Sequence, residues 1–159
     1  KLHVEFCLAD LPKAVGQSKS NSGVKIYGIY EIQILDSVNN PTYFGGGCGS
    51  IYQQKNPDKN VCRKPGEWQS YDITFHRANF DDQKKVVSHP RVTVIWNGVK
   101  VHNDVEVLGV TGGSKPGPHP FLTSGPVMLQ DHYTPVKFRN IWIVPLSKDV
   151  KSPDSFDPK

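Results

Sequence analysis

The stretch GVKIYGIYEIQILDS, residues 23–37, decides the fold class. Val24 and Ile26, then Tyr30, Ile32 and Ile34, fall at every second position, the period of a strand with one buried face. The same alternation places Leu2, Val4, Phe6 and Leu8 together in KLHVEFCL (1–8), and Tyr71, Ile73 and Phe75 in WQSYDITFHRA (68–78). In RVTVIWNGVKV (91–101), Val92, Val94 and Trp96 lead into Asn97-Gly98, the dipeptide best suited to a two-residue hairpin turn. NDVEVLGV (103–110) alternates again, and GPVMLQDHYTPVKFRNIWIVPL (125–146) holds two further strands. No sustained helical period occurs. NFDDQKKVV (79–87) is the best candidate for a turn or so of helix. Many short strands between turn signals predict an all-β, antiparallel sandwich or barrel.

Length and composition bound the rest. The 159 residues suit one domain with a real core. We expect the sandwich over 1–146 and a C-terminal tail over 147–159. The chain opens mid-pattern, without an initiator Met or a signal-like segment, as a trimmed piece that lacks an upstream segment would. No run of about 18 apolar residues is present, so no transmembrane helix is expected. The net charge of +4 comes from scattered Lys and Arg, not from a clustered basic footprint, which argues against nucleic acid as a partner. Cys48 and Cys62 bracket a Gly/Asn/Pro-rich loop, which in an oxidising compartment suits a disulfide, with Cys7 left over. No Cys or His spacing matches a zinc finger. Three long loops stand out: 8–22, the Gly-rich 38–67, and the Gly/Pro-rich 111–125. Loops of this length in a compact domain are functional sites or mobile surface excursions.

Parity then sorts the polar residues. If Tyr30, Ile32 and Ile34 face inward, Glu31 and Gln33 face the other side of their sheet. If Val127 and Leu129 face inward, then Met128, Gln130 and His132 face out. An ordinary solvated sheet face carries Lys, Thr and Ser; a Glu/Gln/Gln/His set on neighbouring strands instead reads as a polar patch on a rigid floor. In VKFRNIWI (136–143), Val136 and Phe138 have one parity, and Ile141 and Ile143 the other. A bulge at Arg139-Asn140 reconciles them. Arg139 either pairs with a carboxylate that fixes the strand or offers its donor fork to a ligand.

NSGVKI, YEIQILDS, CGSIYQQ, PGEWQSYDITF, TVIWNGVKV, GPVMLQDH and VKFRNIWI occur in that order. Together, from Lys1 to about Leu146, they resemble the 3-keto-disaccharide hydrolase domain. The resemblance implies a concanavalin-A-like jelly roll whose concave face binds carbohydrate. It also implies an exported bacterial protein, periplasmic or extracellular. Family domains begin earlier, so it further implies that one or more N-terminal strands are missing here and are completed by an upstream segment or another chain. Asn21, Ser22, Gly23, Glu31, Gln33, Trp68, Gln130, His132, Arg139 and Asn140 stand on the recurring motifs. As a strand-opening Trp, Trp68 is expected to be a buried packing residue or else a sugar platform.

The implied chemistry is cleavage of an oligosaccharide or glycoside oxidised at C3. The ketone acidifies the hydrogen at C2, a base removes it, the enolate expels the glycosidic oxygen at C1, and water adds back. That route needs a base, an acid and a group to stabilise the enolate. His132 is the candidate base and Glu31 the acid or the orienting partner. Arg139, or a divalent metal held by Glu31 and His132, is the candidate stabiliser. Gln33, Gln130, Asn140, Asn21 and Trp68 are candidate substrate contacts. The strand pattern Glu31-x-Gln33-x-Leu35 lacks the second carboxylate of an ordinary retaining glucanase. The alternative is a non-catalytic carbohydrate-binding or structural module of a larger assembly.

Overall fold

The computed structural model describes residues 1–113 and 115–146. The expected tail, 147–159, lies outside the described residues. In chain order the strands are β1 (Leu2–Leu8), β2 (Asn21–Ile26), β3 (Tyr30–Leu35), β4 (Trp68–His76), β5 (Asn79–Phe80), β6 (Val86–Ser88), β7 (Arg91–Trp96), β8 (Val99–Glu106), β9 (Val127–Leu129) and β10 (Val136–Ile143). Among the described residues the one helical element is a 3-10 turn at Gly16–Ser18, and no helix is long and apolar enough to cross a membrane.

Two antiparallel sheets form the expected sandwich. One has five strands in the order β10-β1-β4-β7-β8, the other three in the order β3-β2-β9. The alternating apolar residues of each sheet meet in a single core. Val4, Phe6, Tyr71, Ile73, Val94 and Trp96 come from the larger sheet; Val24, Ile26, Tyr30, Ile32 and Ile34 come from the smaller. Asn97 and Gly98, at φ 52° and 80°, make the β7–β8 turn with the positive angles that Asn-Gly tolerates.

Three local readings change or sharpen. NFDDQKKVV is not helical: it is the β5–β6 ribbon. Asp81 Oδ1 accepts the N–H groups of Gln83 (2.9 Å) and Lys85 (2.8 Å), and Lys84 turns at φ 62°, so the side chain rewards a turn over a helix. NDVEVLGV is not a separate strand; its start continues β8 through an irregularity where Asp104 sits at φ 49° and donates its N–H to Thr93 Oγ1. The bulge in β10 falls where the parity required it. The β1–β10 register shifts between His3 and Glu5, and Asn140 lies at φ 47°. Arg139 and Trp142 therefore share the outer face of the five-stranded sheet with Glu5 and His3.

The larger sheet overhangs the smaller one beside β10. There Ile143 pairs with buried Leu2 yet remains 59% exposed, above an opening of about 550 Å³ lined by Leu2, Ile26, Tyr27, Ile73 and Phe75. At the opposite edge of the smaller sheet, the loop after β3 returns to pair with it. Tyr52 N–H donates to the Glu31 carbonyl (3.0 Å), Gln33 N–H donates to the Ser50 carbonyl (2.9 Å), and Ile51 bridges Ile32.

Candidate functional site

The registers of β3, β2 and β9 arrange the polar residues in rows. Glu31 lies opposite Lys25, and Lys25 opposite Met128. Gln33 lies opposite Gly23, whose carbonyl accepts the N–H of Gln130 at 2.9 Å. Pairing of the returning loop with β3 adds Tyr52 beside Glu31 and Ser50 beside Gln33. All of these side chains lie on the side of the sheet away from Ile32 and Ile34, as alternation requires.

The face is more enclosed than an open floor. Glu31 and Gln33 retain only 2% and 1% exposure, because the loop that follows β3 closes over them. Gln33 is tied down by its amide: Nε2 donates to Gln17 Oε1 (3.1 Å), and to the Gly46 carbonyl and Asn21 Oδ1 at longer range. Asn21 Nδ2 donates to the Gln17 carbonyl (2.8 Å), and Gln17 Nε2 donates to Thr42 Oγ1 (2.7 Å). Asn21 and Gln33 thus bind the 3-10 turn and the covering loop to the sheet. Gln33 Oε1 is buried without a partner among the described residues. Ser22 serves the fold too, donating its hydroxyl to the Gln130 carbonyl at 2.7 Å.

Glu31 is the electrostatic centre. Its carboxylate lies across Gly23, where a Cβ would come within 2.9 Å of Glu31 Cδ. Oε2 is 3.3 Å from Lys25 Nζ. Burial holds the carboxyl above the usual glutamate range, while Lys25 and, more weakly, His132 pull it back. His132 is exposed and within electrostatic reach of Glu31, but no hydrogen bond joins the two. It follows Asp131, whose Oδ1 accepts the Tyr133 N–H (2.9 Å) in a tight turn, and Tyr133 stands 98% exposed beside it. On the other side, Tyr52 Oη is 2.5 Å from Tyr43 Oη. Burial, and next the contact with Tyr43, push the Tyr52 hydroxyl up.

Other candidates lie elsewhere. Arg139 Nε donates to Glu5 Oε2 at 2.6 Å, and its guanidinium stands 3.9 Å over the Trp68 ring. Asn140 Nδ2 donates to Glu5 Oε1 at 2.9 Å. Trp68 is half-buried under Arg139 rather than enclosed in the core. Trp68, Arg139 and Asn140 thus form a cluster on the outer face of the five-stranded sheet, across the sandwich from Glu31. Of the two roles weighed for Arg139, pairing with a carboxylate is present, to Glu5.

A metal shared by Glu31 and His132 does not suit this donor set. Among the described residues no group of three or more His, Cys, Asp and Glu side chains converges, and Lys25 already holds the Glu31 carboxylate. Lys25, Tyr52 and Gln17 were missed in the sequence. Lys25 was within reach of the parity argument, because it alternates with Val24 and Ile26 on the strand before Glu31. Tyr52 and Gln17 reach the site only through loop geometry.

No curated protein matches the chain. A crystal structure of a candidate glycosyl hydrolase from Parabacteroides distasonis ATCC 8503, at 2.13 Å resolution, shares 42% identity over 89% of this chain, with a TM-score of 0.83. The present chain spans 61% of that protein's length. A second candidate glycosyl hydrolase from the same organism, at 1.70 Å, has 17% identity and a TM-score of 0.62 over 88% of this chain and 66% of its own, a likeness of fold. The model of the 3-keto-alpha-glucoside-1,2-lyase-like domain matches residues 1–144. By that match the chain belongs to the family of 3-keto-alpha-glucoside-1,2-lyase-like domains.

Proposed function

We propose that this chain acts on carbohydrate and cleaves 3-keto-glycosides by removal of the C2 proton and elimination of the glycosidic oxygen. The reading rests on the buried Glu31–Lys25 pair on the outer face of β3-β2-β9, and on the electrostatic pull of the nearby His132 on that carboxyl, in a member of this family. His132 is the base: it is exposed, and imidazole is the side chain suited to taking up and returning a proton near neutral pH. The imidazolium so formed returns its proton to the departing oxygen at C1. Lys25, instead of Arg139, supplies the positive charge for the enolate oxygen. Glu31 is too enclosed to meet a sugar oxygen without displacing Lys25, so its role is to orient Lys25 and bias the field at His132. Water then adds to the unsaturated 3-keto product, giving net hydrolysis. The setting we propose is the bacterial periplasm or cell exterior.

A second reading, a binding module without catalysis, draws on the exposed Tyr133 and half-exposed Tyr43 near this face and on the absence of a direct His132–Glu31 hydrogen bond. Incubation with a 3-keto-glycoside and its non-oxidised parent separates the two. The proposal expects cleavage of the first alone. Binding of either without cleavage supports the module, and equal cleavage of both rejects the 3-keto chemistry.

A further inference from the structure

Behind β3, on the side of the returning loop, lies a feature that the proposed reaction does not use. Cys48 is 2% exposed and fixed on both sides: its N–H is held by Ser37 Oγ (2.9 Å), and its Sγ lies 3.1 Å from Tyr71 Oη. The Tyr71 hydroxyl donates to the Gln33 carbonyl (2.6 Å), which also accepts the Gly49 N–H (2.8 Å). Cys62 reaches the same point from the far end of the loop. Its Sγ lies 3.8 Å from the Leu35 carbonyl and is in hydrogen-bonding contact with Cys48. Both thiols are free. The third, Cys7, is on β1 with its Sγ directed at the Leu8 carbonyl, apart from the other two.

We propose that Cys48 and Cys62 form a disulfide that staples the loop covering Glu31 and Gln33. Both sulfurs lie against the end of β3, Cys62 Sγ beside the Leu35 carbonyl and Cys48 Sγ joined through Tyr71 Oη to the Gln33 carbonyl, so the bridge would close the loop where its two ends come together. The oxidant is a small-molecule disulfide such as glutathione disulfide. The Cys62 thiolate attacks one sulfur of it, the S–S bond breaks, and one glutathione leaves as a thiol with the proton Cys62 gave up. The Cys48 thiol then loses its proton and attacks the Cys62 sulfur of the mixed disulfide, releasing the second glutathione. Two protein thiols become one S–S bond, and one glutathione disulfide is reduced to two thiols. The order of attack follows from the surroundings. The hydrogen bond from Cys48 holds the Cys62 thiol below the usual cysteine range, and Cys62 is the more accessible of the two; burial pushes Cys48 up.

The test is peptide mapping of the protein under non-reducing conditions, after incubation with glutathione disulfide and alkylation of the remaining thiols. The expected result is a Cys48–Cys62 cross-linked peptide with Cys7 alkylated, and a Tm higher than that of the reduced protein by roughly 6–12 °C. Cys62→Ser, at the half-buried position, is expected to lose both the cross-link and the rise. Alkylation of all three cysteines, a persistent glutathione adduct on Cys62, a cross-link to Cys7, or a cross-link without a rise in Tm each overturns the staple. The wild-type map decides the matter even if a Cys48 variant fails to fold, and no arm depends on the catalytic reading.

Discussion

The Glu31 carboxylate rests on Gly23 of the neighbouring strand, with Oε2 3.3 Å from Lys25 Nζ. Glycine is required here for space: the carboxylate occupies the volume that any Cβ would take. Gly23→Ala should therefore displace Glu31 or shift β2, lowering stability by roughly 1–3 kcal/mol. Urea unfolding of Gly23→Ala, Glu31→Ala and the double variant checks this. The double variant should recover much of the loss, since it removes the collision; simple additivity would show that the two residues do not compete.

The pH dependence of stability follows from the same carboxyl. Burial raises the folded-state pKa of Glu31 above its unfolded value, with Lys25 opposing. Between those two values the folded chain holds more protons than the unfolded chain, so this group's contribution to stability is greatest below the ordinary glutamate range and declines as pH rises through the folded-state pKa. Glu31→Gln should flatten that decline and leave neutral-pH stability unchanged or higher by up to about 1 kcal/mol. Denaturant midpoints measured across mildly acidic pH would show it; a wild-type profile that rises with pH where the variant's is flat would contradict the assignment.

His132→Ala should separate activity from stability. The side chain is exposed and makes no hydrogen bond among the described residues, so its loss should leave Tm within about a degree or two. Turnover of a 3-keto-glycoside should fall by roughly 10²–10⁴-fold. A large drop in Tm with activity retained would make His132 a structural residue.

Arg139→Ala should do the reverse. The guanidinium is 53% exposed and bonded to Glu5, across the sandwich from Glu31. Removing the ion pair and the contact with Trp68 should cost roughly 0.5–1.5 kcal/mol and leave turnover unchanged. A loss of turnover comparable to that of His132→Ala would place substrate on the outer face of the five-stranded sheet.

How far the sequence could be read depended on whether local order set the answer. Period-two alternation in 23–37, 68–78 and 91–101 predicted the strands and their inward faces, because one buried face leaves a single acceptable register. The clash of parity between Phe138 and Ile141 placed the β10 bulge within a residue. The helical turn predicted at 79–87 failed because Asp81 binds backbone N–H groups within its own turn, a local competition that periodicity does not register. For the site, parity put Glu31 and Gln33 on the correct side of their strand. It gave no hint that loop 38–67 would bury them, since cover by a loop is a tertiary event. It also could not tell which face of which sheet Arg139 would occupy relative to Glu31. Motif order grouped residues that the fold places on opposite sides.

The proposed reaction turns on one step, removal of the hydrogen at C2 by a base before the glycosidic bond breaks. Cleavage of a 3-keto-glycoside carrying deuterium at C2, compared with its protium form, tests it most directly. The expected result is slower cleavage of the deuterated substrate, deuterium lost from C2 of the product, and no reaction with the non-oxidised parent under the same conditions. Equal rates with full retention of deuterium at C2, or cleavage of the parent at a similar rate, would contradict it.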